Sequence, residues 1–146
     1  MTVSFRNVDA SPSDPVATWP YEGLVIAIER GLVADWQPVF AELRRSPWGT
    51  TARRLEAYLG YADPSATTRL FALALLRARA GAEAAERAEV AARVRAAVAA
   101  SGLTGAAFAD AIGTSASRLS TYATGRVVPS AALLLRMERV AAADAS

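Results

Sequence analysis

The sequence predicts an all-α fold, and three features carry that expectation. Apolar residues recur at spacings of three and four along most of the chain, which puts them on one face of a 3.6-residue helix. Proline, glycine and capping hydroxyls stand at the intervals where such helices would start and stop. The composition is 53% hydrophobic, inflated by alanine, and 21% charged, a globular and helix-favouring balance. With 146 residues there is room for one domain or two small ones.

Residues 1–18 hold Asp9, Pro12, Asp14 and Pro15 and have no helical period. They read as a lead-in arm packed by Val3, Phe5 and Val8, with Val3 and Phe5 alternating as in a short extended piece. Trp19-Pro20 opens a first helix, which turns Tyr21, Leu24, Val25 and Ile28 inward and ends at Gly31. A second helix, Val33 to Arg45, has the stripe Leu32, Trp36, Val39, Phe40 and Leu43. Pro38 falls near its start, and Arg44 and Arg45 sit in its last turn, where the dipole favours cations. After the break at Ser46-Pro47, a third helix of about Trp48 to Leu59 buries Trp48, Ala52, Leu55 and Leu59.

Asp63-Pro64 caps a fourth helix, apolar nearly all round from Leu70 to Leu76. Such a helix is either central or an interface, and Leu70, Leu73 and Leu76 are the expected partner surface. Gly81 then interrupts an Ala/Arg/Glu pattern that runs on to Ser101. The boundary is placed there. Residues 19–81 form an N-terminal helical domain for oligomerisation or partner binding, and 82–146 a C-terminal domain whose first helix is about Glu83 to Ala100. A lone glycine costs a helix only about 1 kcal/mol, so one continuous helix also fits. Glu83–Arg87 and Glu89–Arg93 stand four apart in the favourable order, about 0.2–0.5 kcal/mol each. Val90, Val94 and Val98 make the inner stripe.

The stretch Leu103 to Met137 carries the functional information. Thr104 caps a short helix whose buried face holds Phe108 and Ile112, with Ala109 as a flat spot for a neighbouring helix. Gly113 ends it in a left-handed conformation. Ser115, or Thr114 before it, caps the next helix, whose Leu119 and Tyr122 turn inward while Ala116, Ser117, Arg118, Ser120 and Thr121 face out. From Ala111 to Met137 there are three arginines, Arg118, Arg126 and Arg136, and no acid. A small-polar and basic helix face suits the major groove of duplex DNA. Thr124-Gly125-Arg126 ends that helix, and Pro129-Ser130 opens another through Leu133, Leu134 and Met137.

Leu103-Thr104, Ala109, Gly113, Ser115, Leu119, Gly125-Arg126 and Pro129-Ser130, all in register, resemble the pattern of the Cro-type, lambda-repressor-like helix-turn-helix domains, the XRE family, over about residues 90–140. Three positions depart from it: Gly105 where a glutamine is usual, Ala116 where arginine or glutamine is common, and Thr114 in place of valine. The resemblance implies a five-helix DNA-binding domain. It places Ser117 and Thr121 at base edges, Ala116 against a thymine methyl and Arg118 on a base or phosphate. Thr104, Thr124, Arg126 and Ser130 would fix register on phosphates, and Ser115 belongs to the same DNA-binding set. The implied function is a transcriptional repressor or autoregulator, a homodimer on two-fold operator DNA. The alternative is an antitoxin or immunity-type protein, in which residues 19–81 bind a toxin-like partner and the helix-turn-helix autoregulates.

Other classes are disfavoured. No Cys and no His leave no usual zinc ligands and no disulfide, and no cofactor or metal is expected. All 16 basic residues are arginine, so the usual catalytic Lys, His and Cys are missing and an enzyme is not expected. No apolar run approaches a membrane span, and the N-terminus lacks the layout of an export signal, so a cytoplasmic, nucleoid-associated protein is expected. The net charge of +2 is small, so basic character is local. The three tryptophans within residues 19–48 are read as core in preference to a ligand pocket. The Arg44-Arg45 and Arg53-Arg54 pairs are read as helix-end and solvated charges.

Overall fold

The computed structural model describes residues 3–143. Among them are a 3-10 turn at Val16–Thr18 and seven α-helices: α1 (Tyr21–Arg30), α2 (Val33–Arg45), α3 (Thr50–Leu59), α4 (Ala66–Ser101), α5 (Gly105–Ala111), α6 (Ala116–Ala123) and α7 (Ala131–Ala143). No strand occurs among the described residues, so the fold is all-α. The chain divides into two compact units, Met1–Ala82 and Glu83–Ser146.

The core of the first unit gathers one stripe from each of α1 to α3 around Phe71 of α4. Leu24, Ile28, Val39, Leu43, Leu55 and Phe71 are all buried. Phe71 meets Trp36 edge-on at 5.5 Å and Phe40 at 4.9 Å, a geometry that aromatic quadrupoles favour. The lead-in arm belongs to this core: Phe5 stands edge-on to Trp19 at 5.0 Å. The indole N–H of Trp19 donates to the Asp14 carbonyl (3.0 Å), and that of Trp36 to the Ala27 carbonyl (2.8 Å). Both rings are therefore packing elements with their polar edges satisfied.

Asp35 ties arm to helix. Its side chain, 8% exposed, accepts the backbone N–H of Leu32 at 2.8 Å and that of Val3 at 3.0 Å. These two donors hold the carboxyl below its ordinary value of 3.8, the Leu32 bond contributing most.

Several local expectations are corrected. Trp48 is 45% exposed, because residues 47–49 form a turn and α3 begins only at Thr50. Leu32 is 59% exposed, since it precedes α2 and contributes its N–H instead of its side chain. Ser65, not Asp63, caps α4. Its Oγ accepts the Thr68 N–H at 3.1 Å, and the Thr68 hydroxyl accepts the Ser65 N–H at 2.8 Å, so two orphan donors are satisfied reciprocally. Gly31 ends α1 as the sequence predicts, in an extended conformation (φ −77°, ψ 167°).

The fourth helix is continuous through Gly81 and 36 residues long. Nothing lies within 4 Å of a side chain built at Gly81, so only the small intrinsic cost of glycine opposes the helix there. Leu70, Leu73 and Leu76 are 41%, 40% and 65% exposed, while Phe71, Leu75 and Ala78 between them are buried.

In the second unit Val94 and Ala97 of α4 pack with Phe108, Ala109, Ile112, Leu119, Tyr122 and Met137. Among the described residues this unit has four helical segments, not five. The stripe Leu133, Leu134, Met137 and Val140 runs unbroken through α7, and no breaker divides it. Arg93 reaches Glu138 on α7 (2.5 Å) instead of its sequence neighbour Glu89. No described helix is long and apolar enough to cross a membrane.

Two outcomes test this packing. Phe71→Ala should cost about 3–5 kcal/mol of stability, whereas Leu32→Ala should stay within about 0.5 kcal/mol, both measured by denaturant titration. Asp35→Ala should lower the melting temperature at neutral pH. Because the folded carboxyl titrates below 3.8, its contribution is complete above that pH and disappears as the pH falls through the folded value. The melting temperatures of wild type and variant should therefore converge in acid.

Candidate nucleic-acid interface

A helix of seven or eight residues has few internal hydrogen bonds, so its ends decide whether it forms. Both short helices here are capped at both ends. Thr104 accepts the Ala107 N–H at 3.2 Å and starts α5. Ser115 accepts the Arg118 N–H at 3.1 Å and starts α6. Ser130 does the same for α7, accepting the Leu133 N–H at 3.1 Å. Pro129 is buried just before this cap, so Pro129-Ser130 opens the helix as the sequence predicts.

The turn joining α5 to α6 is a Schellman motif. The Thr114 N–H reaches back to the Ala109 carbonyl (2.9 Å) and the Gly113 N–H to that of Asp110 (3.1 Å). This closure needs a left-handed residue, and Gly113 has φ +78°. Gly125, with the same φ, ends α6.

Two arginines that sequence reasoning did not assign complete the frame. Arg136 of α7 donates to the Ile112 carbonyl at 3.0 Å, and Arg95 of α4 donates to the Ala123 carbonyl at 2.6 Å. Each places a cation on the negative end of a short helix. Arg136, one of the three arginines of the acid-free stretch, is thus engaged in holding α5. The position of Arg95 one residue from the buried Val94 is its only signal in the sequence.

On this frame α6 buries Leu119 and Tyr122 and leaves Ala116, Ser117, Arg118 and Ser120 exposed, with Thr121 half-buried. Ala116 and Ser120 line a shallow groove of about 400 Å³ with Gly105 and Ala106 of α5 and Ala99 of α4. The first turns of α5 and α6 thus lie side by side. The hydroxyl proton of Thr121 is donated to the Arg118 carbonyl (2.6 Å), and that of Thr124 to Ser120 and Thr121 carbonyls (3.0 and 3.2 Å). By contrast Thr104, Ser115 and Ser130 accept as caps, which leaves their hydroxyl protons to donate outward. Arg118 and Arg126 are exposed, with no ion-pair partner among the described residues. The next acid along the chain, Glu138, is already held by Arg93.

A substitution separates frame from face. Gly113→Val should destabilise the second unit by more than the about 1–2 kcal/mol that a left-handed conformation costs an ordinary residue. Ser117→Ala should leave the melting curve unchanged.

No curated protein and no solved structure matches this chain. Residues 89–146 match the family model of a helix-turn-helix domain, and the capped, Schellman-turned pair α5–α6 lies within them. The C-terminal part of this chain is similar to helix-turn-helix domains.

Proposed function

We propose that the protein is a sequence-specific DNA-binding transcriptional regulator of the Cro-type, lambda-repressor-like kind, acting in the cytoplasm on nucleoid DNA as a repressor or autoregulator. The observation that carries this reading is the exposed face of α6, with two unpaired guanidiniums beside it and no acid from residues 111 to 137. In the major groove Ser117 and Thr121 meet base edges, and Ala116 offers a methyl to thymine. Arg118 contacts a base or a phosphate. Thr104, Ser115 and Ser130 donate their remaining hydroxyl protons to phosphate oxygens, and Arg126 fixes the end of the helix on the backbone, whereas Thr124, its hydroxyl proton held by the Ser120 and Thr121 carbonyls, meets the backbone only through its methyl. Gly105 and Ala116, the two small departures from the family pattern, both line the groove beside α6. Longer polar side chains there would add base or phosphate contacts, so this half-site is sparse and a two-fold operator is the economical route to affinity.

A second reading rests on a different observation, the exposed leucines of α4. In it the N-terminal unit binds a toxin-like protein and the helix-turn-helix autoregulates. Co-expression with a neighbouring small gene product would distinguish it.

Selection from random duplex DNA followed by titration in rising salt tests the main reading. Arg118→Ala and Arg126→Ala should each reduce the salt slope by about one where the arginine contacts phosphate. Ser117→Ala should relax preference at one base pair, by about 1–3 kcal/mol of discrimination. No enriched sequence, or an affinity indifferent to salt, contradicts the proposal.

A further inference from the structure

The exposed side of α4 has an order that its buried side does not explain. Phe71, Leu75 and Ala78 fill the core, yet Leu70, Leu73 and Leu76 stand in solvent. Leu70 and Leu73 continue into Arg77, Ala80 and Ala84, all exposed, at alternating steps of three and four. That is the spacing of a seam on which another helix packs. Beside it Phe40, Leu70, Leu73 and Ala74 line a groove of about 310 Å³, room for an inserted leucine side chain. Arg69 and Glu83 are both exposed and have no ion-pair partner among the described residues. Each stands seven residues from Leu76, one before and one after, so the three share a helix face.

We propose that α4 is the dimerisation helix: a second copy lies antiparallel along this seam, with its two-fold axis level with residue 75, beside Leu76, and Arg69 of each copy paired to Glu83 of the other. The charges choose both occupant and direction. A helix that carries a cation and an anion equidistant from one leucine is complementary to itself when reversed, and the symmetry forms the pair twice. A parallel arrangement would set arginine on arginine. In the antiparallel one Leu70 faces Ala80, Leu73 lies along the aliphatic stem of Arg77, and the small Ala80 and Ala84 let the backbones approach. The proposal stands apart from DNA binding and uses none of its residues.

The test is the association state of the full-length chain by sedimentation. Arg69→Glu and Glu83→Arg should each weaken the dimer about tenfold, and the double variant should restore it, with melting curves confirming the fold throughout. The chain has no cysteine, so Leu76→Cys gives a single thiol beside the axis. It should form a disulfide-linked dimer on mild oxidation, much faster than Tyr61→Cys, which is exposed but lies off α4. A wild-type monomer at every concentration overturns the proposal. So does a dimer indifferent to both charge reversals, a double variant that fails to rescue, or equal cross-linking at the two positions. A monomer that captures another protein through Leu70 and Leu73 assigns the seam to a different occupant and overturns it equally.

Discussion

The helix-turn-helix depends on satisfying the ends of helices too short to stand alone. In α5 and α6 most backbone N–H and C=O groups fall in a first or last turn, with no partner inside the helix. Hydroxyls take the N-terminal donors, the Gly113 turn takes two C-terminal acceptors, and Arg95 and Arg136 take one more from each helix. Burial of Phe108, Ile112, Leu119 and Tyr122 holds the pair against α4 and α7, but burial alone does not fix the angle between them. The end groups do. The side chains that aim the exposed face of α6 are therefore mostly ones that do not lie on it.

Much of this was legible in the sequence because caps and turns are local. Thr104, Ser115 and Gly113 are identified by residue type at a fixed offset from an apolar pair, and the structure uses them as such. Helix α2 was bounded at both residues for the same reason: its stripe and its terminal arginines are contiguous. What the sequence concealed was non-local. Arg95 and Arg136 bond carbonyls 28 and 24 residues away, and Arg93 chooses Glu138 over Glu89. Hydrophobic character alone does not imply burial at Trp48 and Leu32, because both lie just outside the helices whose stripes they would extend. The sequence does not decide the continuity of α4, because a single glycine costs a helix too little.

Hydroxyl chemistry divides the proposed contact residues into two kinds. Thr121 and Thr124 have turned their protons onto the helix backbone, so outward they offer lone pairs and a methyl. Ser115, Thr104 and Ser130 have used a lone pair as caps and keep a proton. Bases present both donors and acceptors, while phosphates present only acceptors. Under the proposed DNA-binding role the helix starts would suit the backbone of DNA and the middle of α6 its bases.

The fourth helix contributes Phe71 and Leu75 to one core and Val94 and Ala97 to the other, while residues 83–89 are all exposed. That interval is helical chiefly through backbone propensity, since its side chains are exposed, although Arg87 lies close to Gly125. Its amide protons should then exchange with solvent faster than those on either side, an inversion of the usual pattern in which a helix frays from its ends. Energetically the chain would behave as two foldons sharing one element, so that loss of either core shortens α4 without melting the remainder.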